Sequence, residues 1–475
     1  MKPNNSNKRA IALDALRGIA IIGMVLSGSI PYGGMLPGWM YHAQVPPPNH
    51  VFNPNLPGIT WVDLVFPFFL FAMGAAFPFA LSKKSELGIP NWKICLQVIK
   101  RGLIIAAFAI YIQHIKPWAI EPSPTTVVWL ISIAGFLLLF PMLIKLPDTI
   151  SKSKRIVVKL FGFLGAILIL FLFGYFNEQG FSLGRSDIII LVLANVAVAG
   201  SIIWLFTKEN IIVRLGILGL LIALRLTQSV DGSWNSLIWN FSPFPWLYKL
   251  YYLQYLFIVI PGTIIGDMIL KWMKSITPND LEITSGRKNK IYMQAAIMFI
   301  SILGNLIGLY SRAIPETIVF NILTIIIGFY LYSRTNNKTD EFLKSLFSWG
   351  TYWLVLGLFF EAYEGGIKKD HPTLSYYFVT TGLAIYCYIG FTIILDYLGH
   401  KKYFQSVIEN GQNPMIAYIV GHTLITPILA LTTLSTLLNY LLINPWLGFL
   451  KGVLFTSLVV AVTSFCTKQK WFWRT

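Results

Sequence analysis

A histidine and an aspartate near the start of the chain have the side chains best suited to acid–base chemistry. His42 lies in a proline-rich loop, and Asp63 directly precedes the apolar run 64–81. A carboxylate beside an imidazole accepts its N–H, fixes its tautomer and raises its basicity. His50, in the same loop, is the alternative base. Each residue also has a structural explanation, since an aspartate at a helix start is often a cap and a loop histidine is often only solvated.

Two charged residues lie inside the first apolar segment of the chain. Asp14 and Arg17 are spaced i, i+3, which brings them close together on one face of a helix. A charge inside a membrane-spanning helix costs at least a few kcal/mol, so such residues pair or face a cavity. The spacing predicts a local ion pair, and a role in holding an anionic cofactor is equally open.

Aromatic and polar residues collect in the connections between apolar segments. An aromatic ring can stack on the CH face of a sugar while polar groups bond its hydroxyls, so this composition favours a sugar site. An interfacial aromatic belt explains any single tryptophan or tyrosine as well. The candidate sugar-binding residues in these connections are Asp231, Trp234, Glu361, Lys369 and His371.

The composition is that of a membrane protein. The 475 residues are 55% hydrophobic and only 12% charged, with a mean hydropathy of +0.65, whereas about a quarter of the residues of a soluble domain are charged. The net charge of +17 comes from short basic clusters between apolar segments, a pattern typical of membrane orientation signals and not of nucleic-acid binding. Cys95, Cys387 and Cys466 show no paired or ligand-like spacing, so we expect neither disulfides nor a metal site.

The apolar pattern predicts an all-α, polytopic transmembrane helical bundle that forms a single domain over residues 1–475. A spanning helix needs about 20 apolar residues. By this measure we expect about 11–14 spans and favour fourteen, with a break in the thirteenth after Pro427. The segments are 11–30, 61–81, 94–113, 125–144, 156–176, 187–206, 212–230, 251–270, 291–310, 316–333, 343–361, 374–397, 414–439 and 447–467.

Alternate connections differ sharply in basic charge, which predicts the orientation of the chain. Most of the 37 Lys and Arg residues fall in the connections that lie inside if the N-terminus is cytoplasmic. Short cytoplasmic loops retain positive charge, so we expect both termini to be cytoplasmic. Loop 31–60, which carries His42, then lies outside, and its prolines and glycines favour an ordered, turn-rich lid.

Two stretches resemble known membrane acyltransferases. The run Arg9 to Gly18 resembles the opening of the transmembrane acyltransferase superfamily. The stretch Tyr41-His42-Ala43, followed by Gly58 to Gly74 with the sequence GITWVDLVFPFFLFAMG, is similar to the heparan-alpha-glucosaminide N-acetyltransferase family and its bacterial relatives. Weaker similarity continues in 260–266, 369–376 and 411–418.

The resemblance implies an acetyltransferase that uses cytosolic acetyl-CoA and an amino sugar or glycan on the far side of the membrane. It implies that His42 is the catalytic base or acetyl carrier and that Asp63 supports it. Trp61 and Asn413, which lie in matched stretches, join the candidate substrate-binding residues. Cations at the cytoplasmic face would hold the CoA phosphates. For that role we favour Arg17, oriented by Asp14, together with Arg9 and Arg101.

The chain departs from the family pattern at several points. His42 and Asp63 are separated by a proline-rich insertion that carries His50, whereas the family has its histidine and aspartate close together. His42 keeps the His-Ala context, so we favour it over His50. Residues 27–29 read Ser-Gly-Ser where the family has a polar Asn, and residues 368–371 read Lys-Lys-Asp-His where it has Asn-Lys. Substrate recognition is therefore expected to differ.

The sequence leaves three function classes open. The first is a membrane acyltransferase in the cytoplasmic (inner) membrane, with the lipid bilayer, acetyl-CoA and a glycan acceptor as its partners. The second is a transporter of a small polar solute or glycan, for which the same span count would be natural. The third is a membrane scaffold or sensor that tolerates loss of His42. A homodimer is compatible with all three.

Overall fold

Helices account for nearly all the regular structure of the chain. The computed structural model describes residues 10–33, 36–146, 149–176, 180–277, 280 and 287–473. Within these residues no strand forms, and the β pairing consists of an isolated bridge between Ile144 and Trp473. The prediction of an all-α polytopic bundle is confirmed.

Ten α-helices form in the described residues between 10 and 277. They are α1 (Ile11–Ser27), α2 (Trp61–Glu86), α3 (Asn91–His114), α4 (Pro117–Ile120), α5 (Thr126–Leu143), α6 (Lys152–Phe176), α7 (Ile188–Thr207), α8 (Ile211–Thr227), α9 (Trp234–Asn240) and α10 (Leu256–Ser275).

The second half contains five long helices, several short ones and two π-helical turns. The helices are α11 (Lys288–Tyr310), α12 (Ile314–Ser333), α13 (Lys338–Phe359), α14 (Leu374–Phe391), α15 (Gln405–Gln412), α16 (Pro414–Val420), α17 (Thr426–Leu431), α18 (Leu434–Asn439) and α19 (Pro445–Lys468). The π-helical turns, Thr392–Tyr397 and Gly421–Ile425, follow α14 and α16.

Eleven helical segments of the described chain are long and apolar enough to cross a membrane. This number is the lower end of the predicted range, and the protein is a multi-pass membrane protein. The three other predicted spans are also helices: α1 and α8 have 17 residues each, and α13 carries more polar residues. The predicted break in the 414–439 segment occurs after Leu431, where Thr433 adopts a left-handed backbone conformation (φ 59°).

The chain divides into two compact units. The first contains Met1–Ser27, Tyr32–Lys83 and Phe257–Gly411, and the second contains Gly28–Pro31, Lys84–Leu256 and Gln412–Thr475. His42 and Asp63 both belong to the first unit. The single domain predicted from the sequence therefore consists of two units that are each discontinuous in sequence.

Helix α14 is the core of the first unit. All of its residues are buried, and it packs against α1, α11 and α13. Glycines permit its close approach to α13, because a Cβ on Gly357 or Gly382 would collide with the backbone of the facing helix. Without side chains at these contacts the two backbones approach closely and gain dispersion energy along their length, the usual way in which helices associate in membranes.

Helix α2, which carries Asp63, packs in the same way against α10. A Cβ on Gly74 would collide with the carbonyl of Val259, and one on Gly266 would collide with that of Ala75. Small residues therefore line both sides of this contact. The contact fixes the position of α2 within the first unit.

We expect Gly74→Ala to destabilise the protein, although alanine is the better helix former. The added methyl must push α10 away, and such overpacking costs about 1–3 kcal/mol. The measurement is the melting temperature in detergent. Gly216→Ala in α8 is the matched control, because a Cβ there meets no atom within 4 Å, and we expect no loss of stability. Equal melting of the two variants would contradict the close packing of α2 on α10.

Candidate functional site

The first turn of α2 orients the Asp63 carboxylate. Thr60 precedes the helix, and its side-chain oxygen accepts a hydrogen bond from the backbone N–H of Val62 at 3.2 Å. The Asp63 Oδ2 atom reaches back and accepts the backbone N–H of Thr60 at 2.9 Å. This reciprocal pattern is a capping box with aspartate in place of glutamate. It occupies Oδ2 and leaves Oδ1 directed toward another partner.

The loop that carries His42 is ordered by its own hydrogen bonds, as the sequence predicted. The buried Gln44 side chain donates to the carbonyls of Leu56 at 2.8 Å and Gly58 at 3.2 Å. The backbone N–H of Ala43 donates to Asp63 Oδ2 at 3.2 Å. This last bond ties the residue after His42 to the carboxylate at the start of α2, so the histidine is held beside it.

A second loop, between α13 and α14, completes the site. Arg312 Nη1 and the buried Glu361 Oε1 form an ion pair at 2.5 Å, and Glu364 Oε2 accepts the N–H of Leu374 at 2.7 Å at the start of α14. The carbonyl of Ile367 accepts the N–H of Gly58 at 2.7 Å, which joins this loop to the His42 loop. Asp370 is thereby placed beside the imidazole.

His42 lies between two carboxylates. Its Nδ1 atom is 2.7 Å from Asp63 Oδ1, and its Nε2 atom is 2.5 Å from Asp370 Oδ2. Lys369 Nζ lies 3.9 Å from Asp63 Oδ1. The Asp63 side chain is fully buried, that of His42 is 14% exposed and that of Asp370 is 41% exposed, so the three side chains run in a row from the interior toward solvent.

The two carboxylates determine the proton affinity of the imidazole. Burial alone lowers the pKa of His42, but the hydrogen bonds to Asp370 and to Asp63 outweigh burial and leave the pKa raised. The same contact has the opposite effect on Asp370. Burial raises its pKa, but the hydrogen bond to His42, followed by the charge of Lys369, leaves the pKa lowered. The arrangement therefore favours an imidazolium between two carboxylates.

His50 has a different environment. Its ring packs edge-on against Tyr41, with 4.5 Å between centroids, and against Tyr32 at 4.9 Å. Neither ring nitrogen has a hydrogen-bond partner among the described residues. Since no carboxylate in the described part of the chain orients the His50 imidazole, the geometry favours His42 over His50 as the base.

The predicted pair in the first helix is confirmed, and it is embedded in the protein. Arg17 Nη1 lies 3.5 Å from Asp14 Oδ1 and donates to the carbonyl of Gly411 at 3.2 Å. Its Nη2 atom donates to the carbonyl of Ala72 at 3.5 Å. The guanidinium thus ties α1 to α2 and α15. Its role toward CoA stays a prediction, and Arg9 lies outside the described residues.

The remaining predicted residues are distributed over both units. In the first unit, Trp61 begins α2 and His371 is exposed beside Asp370. In the second unit, Asn413 Nδ2 donates to the carbonyl of Trp471 at 2.8 Å, a structural bond. The other three predicted residues are exposed: Arg101 on α3, Asp231 before α9, and Trp234 at the first position of α9.

Asp370 is the residue that sequence reasoning missed. It lies in the segment 361–373, from which the sequence singled out Glu361, Lys369 and His371 as sugar contacts. The signal was present, because Asp370 stands among basic residues in a connection between two apolar segments. Its distance from His42 in sequence, 328 positions, hid the contact. Within the described part of the chain, no three His, Cys, Asp or Glu side chains are arranged so that they could hold a metal ion.

Comparison with known proteins identifies a family without assigning a function. Residues 9–269, more than half of the chain, match the model of a family described as Domain of unknown function (DUF5009). The match includes both His42 and Asp63. No curated protein matches the chain.

We expect His42→Gln to destabilise the protein most at low pH. Because folding raises the pKa of His42, the imidazolium stabilises the folded state fully below its unfolded-state pKa of about 6.5. This stabilisation is lost as the pH rises through the higher folded-state pKa. The measurement is the melting temperature of wild type and variant in detergent, from about pH 5 to pH 9.

The control for this experiment is His400→Gln, which removes an imidazole whose Nε2 lies 3.4 Å from the hydroxyl of Tyr292. The titration of Asp370 does not contribute over this pH range. Because folding lowers the pKa of its carboxyl group, its effect on stability changes only below about pH 4. A difference between wild type and His42→Gln that is constant over the range, or that grows with pH, would contradict the ion-pair arrangement.

Proposed function

The chain belongs to the DUF5009 family, and from the site around His42 we propose that it is a membrane-bound acyltransferase. It moves an acetyl group from cytosolic acetyl-CoA to an amino sugar or glycan on the outer side of the cytoplasmic membrane. The observation that carries the proposal is the contact between His42 Nδ1 and the buried Asp63 Oδ1 at 2.7 Å. The Asp63 carboxylate orients the imidazole, and the other ring nitrogen, Nε2, faces Asp370 on the more exposed side of the site.

The outward direction of the site supports transfer across the membrane. Asp63 is buried at the base of the row and Asp370 is its most exposed member. A substrate therefore approaches the Nε2 side of the imidazole. The basic-residue asymmetry of the connections predicts that loop 31–60 lies outside, which supports an acceptor from the outer side and a CoA thioester from the cytoplasmic side.

The chemistry required of the protein is modest, because a thioester is already activated. The acceptor nitrogen attacks the acetyl carbonyl carbon, the C–N bond forms, the C–S bond breaks and the CoA thiolate leaves. His42 Nε2 takes the proton that the nitrogen loses and returns it to the thiolate. In the alternative route the acetyl group first forms a covalent bond with the imidazole and then passes to the acceptor. The Asp63 contact supports both routes, because each builds positive charge on the ring.

We expect His42→Ala to abolish acceptor-dependent release of free CoA. Positioned general bases contribute about 10²–10⁴-fold, and removal of the base should cost a factor of that order. The assay measures thiol released from acetyl-CoA by the purified protein, with and without glucosamine. Asp63→Asn should also lose activity, because the amide cannot balance the charge that develops on the imidazole.

His400→Ala is the matched histidine control and should retain wild-type activity. Labelled acetyl that stays on the protein when the acceptor is omitted would identify the covalent route. Acceptor-dependent release that persists in His42→Ala and is lost in His50→Ala would transfer the role to His50. Absence of CoA release from the wild type with every amino sugar, together with uptake of the sugar by proteoliposomes, would replace the proposal with transport.

A further inference from the structure

Asp63 is shielded from any substrate. Its side chain is fully buried, and Oδ2 accepts from Ala43 N–H and Thr60 N–H at 3.2 and 2.9 Å. The Thr60 oxygen also lies 3.3 Å from Oδ2, but its hydrogen is donated to the carbonyl of Tyr41 at 2.7 Å. Oδ1 faces His42 and Lys369. All its acceptor positions are directed at the protein, so Asp63 acts on a substrate only through His42.

Asp370, unlike Asp63, is accessible to solvent. Its side chain is 41% exposed, and among the described residues its hydrogen bond is the one to His42 Nε2 at 2.5 Å. The second carboxylate oxygen is therefore available to a ligand. Because Asp370 covers Nε2, any acceptor that reaches the base must first contact this carboxylate.

The charges around the imidazole explain what such a ligand must carry. The groups that face His42 are the carboxylates of Asp63 and Asp370 and the ammonium of Lys369, and His371 lies next to Asp370. With His42 protonated, the two carboxylates are balanced by the imidazolium and Lys369. In that state Nε2 carries a proton and cannot accept another. At a pH where His42 is protonated, Nε2 becomes a base when a different cation takes the place of the imidazolium beside Asp370.

We propose that Asp370 is the subsite for the primary ammonium of the acceptor, and that binding of this ammonium releases His42 Nε2 to act as the base. The inference rests on the proposed function and deepens it by naming the amine as the recognised group. A charged N–H donor on a partly exposed carboxylate forms a strong, directional hydrogen bond. A hydroxyl acceptor is neutral and cannot replace the imidazolium, so the subsite selects amino sugars over neutral sugars.

Each proton that moves in this step has a donor and an acceptor. When the ammonium occupies Asp370, the imidazolium loses its proton to water and becomes neutral. Nε2 then takes one proton from the ammonium, and the resulting amine attacks the acetyl carbon. The C–N bond forms, the C–S bond breaks, and the second proton lost by nitrogen goes to bulk water. The proton held on Nε2 passes to the CoA thiolate, which regenerates the neutral imidazole. When the neutral amide leaves Asp370, the imidazole takes a proton back from water and the resting imidazolium is restored.

Asp370→Asn tests the proposal, since it removes the charge and keeps the shape. We expect the KM for glucosamine to rise about 10- to 100-fold, the loss of one hydrogen bond to a charged group. The preference for glucosamine over glucose should fall with it. In the pH profile of kcat/KM, the acidic limb should move to lower pH, because Asp370→Asn removes one of the two carboxylates that raise the pKa of His42. Asp370→Glu should restore part of the amine preference.

Glu316→Gln is the matched control, an exposed carboxylate in the first turn of α12, and it should leave all three quantities unchanged. A wild-type enzyme that releases no CoA with any acceptor overturns the proposed function. An active wild type whose KM, amine preference and acidic limb are unchanged in Asp370→Asn overturns the role of Asp370 and leaves the acyltransferase intact.

A measurement on the wild type covers the case in which Asp370→Asn does not fold. Glucosamine with a dimethylated nitrogen keeps one charged N–H when protonated, but a tertiary amine cannot form a stable amide. We expect it to inhibit competitively against glucosamine, whereas glucose at the same concentration should not inhibit. Equal inhibition by glucose and by the dimethylated sugar would overturn the ammonium subsite.

Discussion

The buried Asp63 carboxylate is the interaction on which the rest of the site depends. A charge without solvent contact is stable only when donors surround it, because desolvation costs several kcal/mol per ion. Asp63 meets this demand with two backbone N–H groups and the imidazole of His42. These partners lie in the loop that precedes α2. The hydrogen bonds that stabilise the buried carboxylate therefore also hold this loop against the start of the helix.

The helices of the first unit hold this carboxylate in place. The hydroxyl of Tyr376, in the first turn of α14, donates to the backbone carbonyl of Asp63 at 2.9 Å, so the fully buried helix is joined to the helix that carries the site. Close packing at Gly74 and Gly266 fixes α2 against α10. A reacting group must be held to within well under 1 Å of its productive position. Rigid helix contacts supply that accuracy better than a loop alone.

Some predicted residues turned out to have structural partners, and the reason is physical. Arg17 donates to backbone carbonyls, Glu361 pairs with Arg312 and Asn413 donates to the carbonyl of Trp471. Inside an apolar bundle each polar side chain must find a partner, and the nearest acceptors are often carbonyls exposed at helix ends. A polar residue in a membrane segment is therefore as often a tie between helices as a functional group.

The sequence by itself determined the all-α membrane class, the approximate spans, the ordered His42 loop and the Asp14–Arg17 pair. These features depend on local composition and on spacings of a few residues, which a linear pattern records. The tertiary structure alone decided that Asp370 reaches His42, that the chain forms two units, and that His50 packs among tyrosines. Each of these depends on which distant segments pack together, and hydropathy carries no information about that, because every apolar helix suits the bilayer equally well.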